Sequence, residues 1–334
     1  MSERPYIGGQ AVLEGVMMRS PRSLVVAVRR PDGRIAVREE AWETLWPKAT
    51  FLRKPFFRGA VVLIESVWNG FSALAFSAEQ VEAPAAQPVE ASAPAAGQGD
   101  LARGLMLGVS FLFMVALFIA APHLLTLGLF KLLGRDPSLK GLLFHLVDGV
   151  FRIAILVGWL ALVARTKDAQ RLFQYHGAEH KAIWTYESQL PLTVENARRF
   201  TTQHPRCGTS FLFVVVAVAV LLHILVLPFV PTVSNVGTVQ TLFVLLLKIA
   251  LAFPVAGIAY ELQKRSARPD CPAVLKTLVS PGLWLQRITT VEPSDDQLEI
   301  ALLALDRALA REEGRPRAVD GVQVYRDFSG ALAA

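Results

Sequence analysis

The sequence predicts a membrane protein, mainly α, in which four transmembrane helices carry a cytoplasmic α+β portion, and three observations predict it. Four apolar runs, at roughly 104–133, 142–164, 210–230 and 238–260, each reach the length of about twenty residues that crosses a bilayer. Hydrophobic residues make up 53% of the 334 and charged residues 19%, with a mean hydropathy of +0.41. Arg103, Arg165, Lys167, Arg171, Arg206, Lys264, Arg265 and Arg268 flank one side of these runs, whereas the loop 231–237 carries no charge. Lys and Arg accumulate in cytoplasmic loops, so both termini and the loop 165–209 are assigned to the cytoplasm, with Arg135 and Lys140 opposing weakly. Cys207 and Cys271 are too few and too far apart for a disulfide framework, and reduced thiols are expected. The net charge of +6 is spread among apolar segments and forms no basic arm, which excludes a nucleic-acid partner. Residues 1–10 lack the apolar core of a cleaved signal peptide.

Residues 1–78 are expected to form an N-terminal cytoplasmic region. Glycines at 8, 9 and 15 surround the single acid Glu14 and permit positive φ or close backbone approach. Residues 6–22 are therefore either a shaped binding loop or a glycine-rich turn between short strands. Ser23–Arg29 and Arg34–Glu39 flank Pro31-Asp32-Gly33, which predicts a β-hairpin. From Phe56 to Ala78 an apolar stretch is broken by Arg58, Glu65 and Asn69. That pattern suits an interfacial helix, with Trp68 at the headgroup level, or a core helix of the cytoplasmic domain. Residues 79–103 read as a disordered linker, because their Ala/Pro-rich composition buries too little surface to order itself.

The membrane domain, 104–263, carries His123, His145, Asp148, Arg152, His223 and Lys248 inside its apolar runs. A charge at the bilayer centre costs about 2.5–3.5 kcal/mol on insertion scales, so such groups face the bundle interior and pair there or work there. His145, Asp148 and Arg152 share one helical face by spacing, and with His223 and Lys248 they are expected to form one polar cluster. It is either structural or part of a substrate or proton path.

The loop between the second and third spans contains His176-Gly177-Ala178-Glu179-His180. On a helix, His176 and His180 lie one turn apart on one face with Glu179 beside them. Two neutral imidazoles so placed can hold Zn²⁺ or another divalent transition metal, and the carboxylate can act as general base. A third ligand is open between His204 and Cys207, which share a Pro- and Gly-bounded turn, and Glu261 at the end of the fourth span is a rival. Glu14, Glu187 and Arg206 are further candidates for the site. Thr193 is expected to cap a short helix from Val194 to Thr202.

In the C-terminal cytoplasmic segment, 264–313, a β-rich Ile288–Val291 is expected to pack back on the cytoplasmic face. Ser294-Asp295-Asp296-Gln297 is a capping-box pattern opening an amphipathic helix with Leu298, Ala301, Leu302, Leu305 and Leu309 on one stripe. The tail, 314–334, is polar and predicts no element.

Taken together, residues 8–19 (GGQAVLEGVMMR), 175–181 (YHGAEHK), 204–210 (HPRCGTS) and the Trp284–Pro293 segment resemble the YqhQ-like family of bacterial membrane proteins, a domain of unknown function whose members are labelled metal-dependent enzymes. The resemblance covers most of the chain and implies a multi-pass protein of the bacterial cytoplasmic (inner) membrane. Three functions follow as expectations. The first is a membrane-anchored metal-dependent hydrolase with Glu179 as base. The second is a non-enzymatic scaffold stapled by a closed His176–His180–His204–Cys207 metal site. The third is a small transporter using the intramembrane His and Asp groups. The bilayer is the expected partner, with a substrate or protein partner and self-association left open.

Overall fold

A computed structural model describes residues 5–42, 44, 46, 48–82, 98–135, 141–234, 236–266, 268, 270–315 and 320–333. The stretch around Glu14 is a hairpin of short strands, β1 (Gly8–Val12) and β2 (Gly15–Arg19), with Glu14 itself in the left-handed region at φ 50°. The predicted hairpin follows as β3 (Ser23–Arg29) and β4 (Ile35–Ala41), its turn closed by Gly33 at φ 82°. Alternation along these strands makes two apolar faces: Val16, Met18, Val25, Ala27, Ile35 and Val37 point one way, and Met17, Leu24, Val26, Val28 and Ala36 the other. Both faces are covered, which explains why the strands are almost continuously apolar instead of alternating with polar residues.

Helix α1 (Phe57–Glu82) covers the second face with Ala73 and Phe76. Its first half lies against the end of the last long apolar helix, where Gly59 meets Tyr260 and Gly257. The helix therefore runs four residues into the expected linker. The linker's other end, from residue 98, is likewise helical, and 83–97 fall outside the described residues. Helix α2 (Gln98–Val115) passes through a π-helical turn, Ala116–Ala120, into α3 (Ala121–Leu132), and α4 (Leu142–Val163) packs against α3.

Thr166 caps α5 (Lys167–Glu187) by accepting from the Ala169 amide, and Thr193 caps α6 (Val194–Arg198) in the same way through Asn196. Helices α7 (Gly208–Val226), α8 (Gly237–Ala250) and α9 (Ala252–Ser266) complete the apolar bundle. Among the described residues, five helical stretches could cross a membrane by length and hydropathy: Phe57–Glu82, Gly104–Leu132, Leu142–Val163, Gly208–Phe229 and Gly237–Ser266. The first was expected only at the interface or in the core.

Ile288–Thr289 is the end of a helix, α10 (Ala273–Thr289), and not a strand. Its packing against α7, with Gly282 pressed on Ser210, outweighs the β-branched run. The capping box at Ser294 opens α11 (Asp295–Glu312), whose predicted stripe is buried against the first face of the sheet together with Tyr175, Ala178 and Ala182 of α5. The tail is also ordered: β5 (Gly321–Tyr325) pairs antiparallel with β4, completing the order β1-β2-β3-β4-β5, and α12 (Phe328–Ala333) packs on α11.

Candidate functional site

Helix α5 is amphipathic in an unusual way: one side belongs to the sheet core, and the other presents His176, Glu179 and His180 to a cavity of about 630 Å³. The cavity is bounded by β1, by Val62, Ser66 and Asn69 of α1, by the first residues of α7 and by Tyr260 of α9. It therefore opens where apolar helices begin and end. Two glycines make the packing achievable. A side chain at Gly9 would come within 2.6 Å of Glu179 Cγ, and one at Gly177 would strike the Val291 carbonyl, so β1 and the segment after α10 both reach α5 only where Cβ is missing.

Each imidazole is fixed from behind. His176 Nδ1 donates to the Thr289 carbonyl at 2.8 Å, and His180 Nδ1 donates to the Thr202 carbonyl. Both rings consequently turn Nε2 inward as a lone pair. His176 Nε2 lies 3.1 Å from Cys207 Sγ; His180 Nε2 is buried, meets ordinary hydrogen-bond geometry with no atom, and has that sulfur within 4.8 Å. Cys207 sits at the N-cap of α7, its sulfur accepting from the Thr209 amide. Among the described residues, His176, His180 and Cys207 are the group whose donor atoms all approach within 4.8 Å of one another. A tetrahedral Zn²⁺ with N and S ligands separates its donors by roughly 3.3–3.8 Å, so the trio fits such an ion after a small inward movement. Carbonyl-oriented imidazoles are the usual surroundings of metal-binding histidines.

Glu179 Oε2 stands 4.0 Å from His176 Nε2 and 3.8 Å from His180 Nε2. Burial, the largest influence, raises the affinity of this carboxyl for a proton, while His176, His204 and the Gly9 amide pull the other way. Burial likewise lowers the pKa of His180 and favours the neutral imidazole that a metal requires.

The structure brings some predicted residues together and sets others apart. His204 stands outside the trio: its Nδ1 accepts from the Arg206 amide at 3.3 Å, its Nε2 donates to Glu187 at 3.4 Å, and burial pushes its pKa down to about 4. Glu187 also pairs with Arg206, whose guanidinium stacks on Tyr6. Glu261 is not a ligand here, because Arg58 grips it through two bonds of 2.6 Å. Glu14 is held by Arg171 and faces Tyr175 on another part of α5. Residues that sequence reasoning missed are Gln286, which clasps both backbone groups of His204 and the Ser210 hydroxyl at 2.7 Å, and Thr202 and Thr289, which act through carbonyls. Backbone acceptors leave no side-chain signature.

The ionisable groups of the apolar helices form a second centre. Lys248 Nζ donates to Asp148 at 2.7 Å and to His123 Nδ1 at 3.2 Å, and Arg152 reaches the other Asp148 oxygen at 3.3 Å. His145 is buried against Phe144, and His223 is buried within coulombic reach of Arg152 and Lys248.

The fold and these two centres define a mainly helical protein with several helices apolar enough for a membrane and a small sheet that orders a His, His, Cys cluster beside them. A family model described as a protein of unknown function, DUF1385, matches residues 54–311. A protein of Bacillus subtilis (strain 168) described as uncharacterized protein YqhQ is 35% identical over 318 residues, covering 92% of this chain and 93% of that one. The chain belongs to this family. No solved structure matches it.

Proposed function

We propose that this chain is a membrane-anchored metal-dependent hydrolase of the bacterial cytoplasmic membrane, holding a divalent transition ion through His176, His180 and Cys207, with Glu179 as general base. The observation that carries this is the inward pair of Nε2 lone pairs, each fixed by a backbone carbonyl behind its ring and both directed toward one sulfur. The donor set suits zinc, which when bound would lower the pKa of a water and polarise a substrate carbonyl. Glu179, buried and about 4 Å from both histidines, would take the proton from that water at Oε2 and return it to the leaving group. Because Glu187 and the Arg206 amide engage His204, three donors remain, which favours an open position over a closed four-ligand staple.

We assign four crossings, a count that parity supports. β1–β4 share a sheet with β5, and that sheet packs on α5 and α11, so these segments lie on one side of the bilayer. Between β4 and α5 the chain must then cross an even number of times. The α2–α3 stretch and α4 supply two crossings, and α1 stays on the near side with Ala73 and Phe76 in the sheet core. The flanking Lys and Arg support assigning that side, and both termini, to the cytoplasm. The Asp148 cluster we assign to holding the bundle, since its carboxylate binds both Lys248 and Arg152.

Elemental analysis of the purified protein tests the metal. The expected result is about one zinc per chain, falling to background in His176→Ala and His180→Ala, with Glu179→Gln retaining the ion and losing hydrolysis about 10²–10⁴-fold. Unchanged stoichiometry in both histidine variants removes the proposal. The 3.1 Å approach of Cys207 to His176 supports a second reading, a thiol nucleophile served by an imidazole base. In that case chelation would leave activity intact and iodoacetamide would abolish it.

A further inference from the structure

The free edge of the sheet carries a consequence for the substrate. In the order β1-β2-β3-β4-β5, β1 pairs on one side only, and its outer edge borders the cavity that holds His176, His180 and Cys207. In an antiparallel pair alternate residues exchange both backbone bonds with the partner strand, while those between point both groups outward. The Gly9 amide is bonded to the Glu179 carboxylate, so Gly9 belongs to the outward set, and Ala11, two residues on, belongs with it. Among the described residues no backbone hydrogen bond engages Ala11 on that side. Among the described residues, the cavity wall beside the trio is therefore a short ladder made of the Gly9 carbonyl and the Ala11 N–H and carbonyl, with the Gly9 N–H taken by Glu179, at the two-residue repeat of an extended chain.

We propose that an extended polypeptide segment binds along this edge, main chain to main chain, which lays one of its carbonyls over the His176–His180–Cys207 trio. The substrate class is thus peptide, and this rests on the metal-site reading above for its chemistry but not for its binding. Strand addition draws its affinity from backbone bonds and its selectivity from the pockets that alternate side chains enter. Gly8 and Gly9 keep the rim free of side chains, while Val62 and Tyr260 supply apolar contact. An anionic lipid headgroup is a poorer match, because the cavity's cations are already neutralised, Arg19 by Glu65 at 3.4 Å and Arg206 by Glu187.

The test measures binding apart from catalysis. A fluorescein-labelled pool of random octapeptides is titrated by anisotropy with the full chain in detergent, with zinc and after chelation. Saturable binding is expected in both states, weakened about tenfold by Ala11→Pro, which removes one outward N–H at an edge position where proline is tolerated. A pool N-methylated at alternate amides is expected not to bind. Equal binding of the N-methylated pool, absence of saturable binding, or displacement of the peptides by phosphatidylglycerol vesicles would each overturn the inference. Elemental analysis of the same samples reads the metal site separately: binding that persists in a protein without zinc retains the peptide edge and discards the hydrolase.

Discussion

Two buried polar centres in this molecule use similar residues in opposite ways. Inside the helix bundle, Asp148 directs one oxygen to Lys248 and the other to Arg152, and Lys248 also reaches His123, so each ionised group has a hydrogen-bonding partner. At the rim of the bundle, His176 and His180 are each bonded on the far side of the ring, which leaves the near side with lone pairs and a sulfur. Paired charges tie helices together, whereas donors fixed from behind and free in front are available to a ligand. Buried histidines alone do not separate the two cases, nor does an unpartnered ring nitrogen, which His123 and His180 share; a second imidazole and a sulfur within 4.8 Å do.

This contrast can be broken at several points. Asp148→Asn strands Lys248 and Arg152 in a buried environment and should cost about 3–5 kcal/mol of stability, read as a lower Tm in detergent, while metal content per folded chain stays at the wild-type level. A loss of metal in that variant would mean that the two centres are one system. Cys207→Ser should weaken zinc by about 100-fold or more, measured by chelator competition, whereas His204→Ala should retain the ion, since His204 answers to Glu187. If the two variants lose metal equally, His204 is a ligand in solution.

A pH experiment sharpens the comparison from the sheet side. Burial raises the Glu39 carboxyl to about 7 despite Arg307 at 3.6 Å. A folded pKa above the unfolded one gives stability that is complete below pH 4.5 and is lost as the pH rises through about 7. Thermal melts across that window should show the decline, and Glu39→Gln should flatten it. The smallest effect belongs to Glu261→Gln. Its partly exposed pair with Arg58 is worth about 0–1 kcal/mol, and metal stoichiometry should not change.

Much of this arrangement was legible in the sequence because its signals are local. The capping box at Ser294, the stripe from Leu298 to Leu309 and the turn at Gly33 all act within a few residues, and each formed as expected. The His176 and His180 spacing is local too. The third donor was not decidable, since Cys207 and His204 differ only in what folds beside them: the Thr209 amide at one, Glu187 and Gln286 at the other. The order in the tail was invisible for the same reason. A five-residue strand such as β5, with only Val322, Val324 and Tyr325 to bury, holds its place by pairing with β4, almost three hundred residues earlier.

That pairing sets a schedule for biosynthesis. At the usual rates of translation, on the order of tens of seconds separate the synthesis of β4 from that of β5. Throughout that interval β4 offers an open edge, and the face that α11 will cover stays wet. The sheet can therefore close only after the last apolar helix has been made, so a ribosome stalled at that point would leave a chain with an unfinished sheet and an exposed edge.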